Sequence, residues 1–300
     1  MLAALLSWRN VLLSLALFAG ICAPKIPQEV AGFVALVVLS VIVIFYLSSL
    51  ELKKNLQPRS FWTSALVGVL LSYVLLGNVL IWTSATLMFS YGTIWVGFIV
   101  LAVVPPIFPE ILEFFREKIP ITKIIGAYLA GVIIIPFMFG VLVDDALLDT
   151  KKIILLGVAV TLLPLSFSRI VFEREKLRKL ILANKDAGLN LCFAITLFLA
   201  VSVNTDVFLQ FPMVLLPIIV TTVISTFILG KLLLKVCSFF QITESTNTVI
   251  MGTLKDGFIA CGVALYLFPA ESSLPAIVYC LNFMLYCAWL EGVFSSPVKR

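Results

Sequence analysis

The sequence predicts an all-α integral membrane protein: ten transmembrane helices in two inverted five-helix repeats, with helices four and nine broken where they cross. Three observations predict it. Hydrophobic residues fill 62% of the 300 positions and charged residues 12%, against roughly a half and a quarter in a soluble domain. The apolar runs are continuous and about 18–22 residues long, the reach of a membrane-crossing helix and twice that of a barrel strand. Two of them are interrupted, and the interruptions lie about 147 residues apart, close to half the chain.

The first observation makes lipid the solvent. A mean hydropathy of +1.16 leaves more apolar surface than a water-soluble fold of this length can hide. Backbone groups in hydrocarbon must bond within their own segment, which leaves helices or closed barrels, and the run length selects helices. The spans fall near 4–22, 30–50, 61–82, 91–112, 121–143, 153–171, 188–205, 210–234, 247–268 and 274–293. No A-x-A-like cleavage site follows the first run, so it is expected to be a retained helix. The first repeat then covers 1–145 and the second 150–295.

Charge sets the orientation. With the amino terminus in the cytoplasm, seventeen of the 21 Lys and Arg residues fall inside, from Arg9 and Lys53 through Lys185 to Arg300. Only Lys25, Lys151 and Lys152 fall outside. That asymmetry predicts a multi-pass protein of the cell (inner) membrane with both termini cytoplasmic. The polar stretch Glu173–Asp186 places Leu177, Leu180 and Ile181 among basic residues and reads as a solvated linker between the halves.

Composition also excludes. The chain has no histidine, which removes His-based triads, zinc sites and imidazole relays, and the expectation is that it is not an enzyme. The six cysteines, with no CxxC pair, read as small packing residues. A net charge of +5 follows from the orientation rule and implies no nucleic-acid partner.

The two breaks carry the function. In the fourth span (91–113), Pro105, Pro106 and Pro109 each remove a helix hydrogen bond and clash with the preceding turn. In the ninth (247–268), Gly252 and Gly257 flank Thr253, Lys255 and Asp256. Non-helical backbone at membrane depth survives only inside protein or along a watery cavity. Broken helices at matched positions of inverted halves point to a midplane substrate site. A charge at the bilayer centre costs at least about 2.5–3.5 kcal/mol, so Glu110, Lys255 and Asp256 are expected to bind substrate or ion and to pair with one another. Asn78 and Asn282 are weaker candidates for the same cavity. Trp62, Trp82, Trp95 and Trp289 stand toward span ends, as an aromatic belt requires.

The run Gly252-Thr-Leu-Lys-Asp-Gly257-Phe-Ile-Ala-Cys-Gly-Val-Ala-Leu-Tyr-Leu-Phe-Pro269, followed by Leu274-Pro275-Ala276, resembles the ninth and tenth helices of the bile acid:sodium symporter superfamily. Ala102 to Pro105, Arg116 to Pro120, and Gly126 to Pro136 are similar to its fourth and fifth. The resemblance implies a panel and a core domain, and sodium-coupled uptake of an organic anion. Several positions depart from the pattern: Leu254-Lys255 stand where Gln-Asn is usual, and Ile250 where an acidic sodium ligand stands. Phe108, Pro109 and Glu110 replace small polar residues after the fourth-helix proline. The hydroxyls of the fifth helix are absent around Ala127, Leu129 and Ala130. The ligands of a sodium ion are therefore not evident, no metal site or other cofactor is expected, and Lys255 is a fixed ammonium in the cation's place.

The expectation is a secondary transporter that moves a small organic anion by alternating access, with a proton rather than sodium as coupling ion. The alternatives are a cation/proton antiporter of related fold and a non-transporting membrane scaffold.

Overall fold

The computed structural model describes residues 8–49, 58–88, 90–106, 121–144, 147–242 and 245–295. Every regular element in them is helical. The helices are α1 (Trp8–Cys22), α2 (Gln28–Ser49), α3 (Pro58–Val69), α4 (Asn78–Met88), α5 (Gly92–Val103), α6 (Ile121–Leu142), α7 (Thr150–Gly157), α8 (Leu163–Glu173), α9 (Glu175–Ala183), α10 (Lys185–Val203), α11 (Thr205–Gln210), α12 (Leu215–Val223), α13 (Leu229–Phe239), α14 (Ser245–Thr253), α15 (Gly257–Leu267) and α16 (Leu274–Ser295). Among the described residues, seven helical stretches are long and apolar enough to cross a membrane, and α1 and α5 are shorter apolar helices.

Three π-helical segments join shorter helices into long ones: Leu70–Gly77 links α3 to α4, Val158–Leu162 links α7 to α8, and Ile224–Ile228 links α12 to α13. Around the last of these, the hydroxyls of Thr221, Thr222, Ser225 and Thr226 all bond back to carbonyls three or four residues earlier. Such bonds compete with the helix ladder and favour a widened turn. The third span, expected at 61–82, continues as α4 to Met88, and the hydroxyls of Thr83, Ser84 and Thr86 donate to carbonyls of that same helix.

Packing is organised around α14 and α15. Of the most apolar stretch within Ser245–Leu267, 94% is buried, against 22% for Thr150–Val171. The helix pair therefore runs through the middle of the bundle. α15 packs on α2, α10 and α16, while α14 packs on α13 and on the π segment after α3. Around them α1 lies on α10, α8 on α2, α3 on α6, α4 on α5, and α12 on α16. Outward positions such as Phe18, Phe33, Leu66, Val74, Phe137 and Leu285 are exposed, as lipid-facing side chains are. Trp62 and Trp82 also face outward, while Trp289 is half-buried, stacked on Tyr286 and packed on Phe227.

One end of the bundle is tied by polar contacts between loops. Gln28 donates to the Phe268 carbonyl at the end of α15, Ser202 to Pro24, and Asn204 to Ala270 and the Ser273 hydroxyl. Lys25 pairs with Asp206 across the same end. At the other end, α13 closes with Gln241 at φ 51°, its N–H donating to Ser238 while Ile242 donates to Cys237. A side chain in the left-handed region costs about 1 kcal/mol that glycine avoids. Gln241→Gly is therefore expected to raise stability by about that amount, read from thermal unfolding in detergent; a loss of stability contradicts the assignment of this turn.

Candidate functional site at the crossing of two broken helices

The fourth-helix break begins at Val104, which precedes Pro105. Proline's ring disfavours the α region in the residue before it, and Val104 has φ −65° and ψ 151°. Helix α5 therefore stops, and the carbonyls of Val104 and Pro105 have no partner within the helix. Pro109 and Glu110, the remaining site residues predicted on this span, lie outside the described residues, as does Glu113.

The break between α14 and α15 supplies those partners. The Lys255 ammonium donates to the Val104 carbonyl at 2.8 Å, and the Asp256 N–H donates to the Pro105 carbonyl at 3.1 Å. The two interruptions thus hold each other through main-chain groups that regular helix would have consumed. Lys255 is fully buried, and its Nζ stands 4.1 Å from the centre of the Tyr73 ring, over the face of the aromatic system.

The neighbouring backbone is satisfied by tyrosines. The Tyr279 hydroxyl accepts from the Lys255 N–H at 2.9 Å and donates to the Thr253 carbonyl at 2.8 Å, bridging the gap between α14 and α15. Tyr286 donates to the Thr253 hydroxyl, which donates to the Val249 carbonyl one turn back. Gly257 is required by the same packing: a Cβ there would stand 2.8 Å from Cys280 Sγ and 3.1 Å from the Tyr279 ring.

Asp256 does not pair with Lys255. Among the described residues the ion pairs are Lys25–Asp206, Arg169–Glu173 and Lys179–Glu175. The expected Lys255–Asp256 pair is replaced by two separate arrangements, because adjacent residues of a non-helical segment point to opposite sides. The Asp256 carboxylate caps α15 by accepting from the Ile259 N–H at 3.0 Å, and it accepts from the Tyr46 hydroxyl at 2.8 Å. Each fixed charge consequently meets a helix end of opposite polarity. The ammonium sits at the carbonyl end of α5 and the carboxylate at the amide end of α15, which is the arrangement a helix dipole favours.

Seven of the predicted residues meet here: Pro105, Pro106, Gly252, Thr253, Lys255, Asp256 and Gly257. Asn282 is buried close by and donates to the Thr226 hydroxyl at 2.9 Å, a bridge between α16 and the π segment Ile224–Ile228. Asn78 is not part of the cluster. It is exposed and donates to Val74 on its own helix, which satisfies the amide without any cavity. The sequence reading missed Tyr46, Tyr73, Tyr279 and Tyr286. A signal for the last two was present: Tyr279, Asn282 and Tyr286 follow i, i+3, i+7 spacing, one polar stripe on an apolar helix. Compared with protein-family models and with curated protein sequences, the chain matches none.

Proposed function

We propose that this protein is a secondary transporter of a small organic anion, of bile acid:sodium symporter-like fold, working by alternating access with a proton as coupling ion. The observation that carries the reading is the Lys255 ammonium, buried on the Val104 carbonyl where the two broken helices meet. A coordinated sodium ion would also use main-chain carbonyls freed by a break. A covalently attached cation at such a carbonyl performs the same electrostatic task without leaving the protein.

The ten-span, inverted-repeat architecture belongs to this proposal. Its support lies in packing and backbone that repeat after half the chain. Helix α1 packs on α10 as α8 packs on α2, and α3 packs on α6 as α12 packs on α16. The π segments Leu70–Gly77 and Ile224–Ile228 also occupy matching spans, the third and the eighth. On this reading both termini lie in the cytoplasm of a cell (inner) membrane protein, and Lys25, Lys151 and Lys152 lie outside.

Anion binding would neutralise the ammonium and weaken its hold on Val104, freeing the core helices to rock against the rest. Uptake of organic anions into proteoliposomes is expected to depend on an imposed pH gradient. It is expected to persist when sodium is replaced by choline. Uptake that requires sodium and ignores pH would remove Lys255 from the place of the coupling cation.

A further inference from the structure

A second concave site lies at the opposite end of α5 from Lys255. Its volume is about 520 Å³, within the range of small-molecule sites. Ser90 and the first turn of α5, with Thr93, form one wall; Phe211, Val214 and Leu274 form an apolar wall; Glu271 is the charged residue of the lining. Glu271 is exposed, and no ion pair joins it to another described residue. The turn that carries it packs on α5, at Gly97, where an added Cβ would collide with the Ser272 carbonyl oxygen. The cavity and the ammonium are thus mounted on the two ends of one twelve-residue helix, about 18 Å apart at 1.5 Å per residue.

The charges at the two ends are opposite. The end of the bundle holding the cavity carries Glu29, Asp144, Asp149, Asp206 and Glu271 against Lys25, Lys151 and Lys152 among the described residues. Of those lysines, Lys25 is already paired with Asp206. The carboxylates outnumber the ammonium groups at this end, which favours a positive group over a simple anion. A solute bearing both charges is attracted at each site in turn.

Resting on the transport reading above, we propose that this cavity receives the ammonium end of the substrate, and that the transported carboxylate belongs to a zwitterion of amino-acid type. The carboxylate end is the one that reaches Lys255; Glu271 and the Ser90 and Thr93 hydroxyls hold the ammonium, while Phe211, Val214 and Leu274 cover an apolar side chain.

The test uses the full-length protein in proteoliposomes, with Cys22→Ser removing the exposed cysteine; the other five are buried. Gly92→Cys places a thiol at the cavity mouth, where an added Cβ meets nothing within 4 Å. Modification by a trimethylammonium methanethiosulfonate is expected to outpace that by the sulfonate analogue by about tenfold beyond the ratio for a free thiol. Adding Glu271→Gln is expected to return the ratio to the free-thiol value. In the second arm, each of the common amino acids and its deaminated carboxylic acid is tested for slowing the cationic reagent. Protection by an amino acid but not by its matched acid, lost in Glu271→Gln, supports the proposal. No charge preference, no protection by any amino acid, or equal protection by the matched acid overturns it. Uptake of simple organic anions that depends on Lys255 leaves the transport reading standing in each of those cases.

Discussion

Lys255→Met is expected to lower anion uptake by about a hundredfold or more while leaving the protein at least as stable as the parent. The two halves of that result have separate causes. Removing a charged hydrogen-bond donor from a desolvated site costs about 3 kcal/mol of anion binding, and about 1.4 kcal/mol corresponds to each factor of ten. Stability moves the other way because Lys255 is fully buried and, among the described residues, meets only a neutral carbonyl and an aromatic face. Burial of such a charge is costly, and an apolar side chain of similar volume removes that cost. Lys255→Ala is also expected to abolish binding, with a cavity left behind that costs some stability. Lys255→Gln returns an amide to the break and is expected to introduce a partial sodium requirement. Uptake assays and thermal unfolding on the same preparations separate these outcomes. Uptake within about threefold of the parent in Lys255→Met, well short of the hundredfold set by the lost hydrogen bond, would show that the ammonium is structural only.

The largest expected effect on folding comes from Gly97→Ala. The added Cβ would fall inside the contact distance of the Ser272 carbonyl oxygen and 2.9 Å from Pro275 Cδ. Neither neighbour is the free end of a flexible side chain, so α5 and the start of α16 must separate. Overpacking against rigid partners costs about 3 kcal/mol, and the displacement would also move Val104 relative to Lys255. Loss of folded protein in fluorescence size-exclusion profiles, or a strongly lowered unfolding temperature, is the expected reading. Gly92→Ala on the same helix is the control. Its Cβ meets nothing within 4 Å, and restricting the unfolded chain is expected to make it neutral or stabilising by up to about 1 kcal/mol. Equal behaviour of the two variants would contradict the close approach at Gly97.

Both results follow from contacts between residues far apart in the chain, and the degree to which the sequence announced them differs. Proline and glycine punctuation located the breaks, because Pro105 acts on its own preceding residue and needs no tertiary partner. The pairing of the breaks was harder to read. Lys255 and Asp256 looked like a charge pair with Glu110 as a further partner, since unpaired charges in an apolar run are expensive. Folding instead assigned Lys255 to Val104 and Asp256 to the α15 amide end and Tyr46. Main-chain carbonyls and amides are present at every position, so composition and spacing cannot single out the ones a break leaves unsatisfied.

Asn78 and the tyrosines show the same division from the other side. An asparagine in an apolar run signals a need for a partner, but the partner of Asn78 is Val74 on its own helix, a solution no periodicity excludes. Tyr73, Tyr46 and Tyr279 stand in apolar runs, where their spacing assigns them no partner. Only packing shows that their rings and hydroxyls close around Lys255, Asp256 and the Thr253 carbonyl.

The sequence by itself determined the solvent, the helical class, the places where two helices must break, and the asymmetry of charge, because each depends on composition or on steric effects between neighbours in the chain. The tertiary structure alone decided which charge meets which dipole, which glycine carries a close helix contact, and which polar groups share a cavity. Most of those depend on groups brought together from more than a hundred residues apart, where orientation and desolvation, rather than residue type, set the energy.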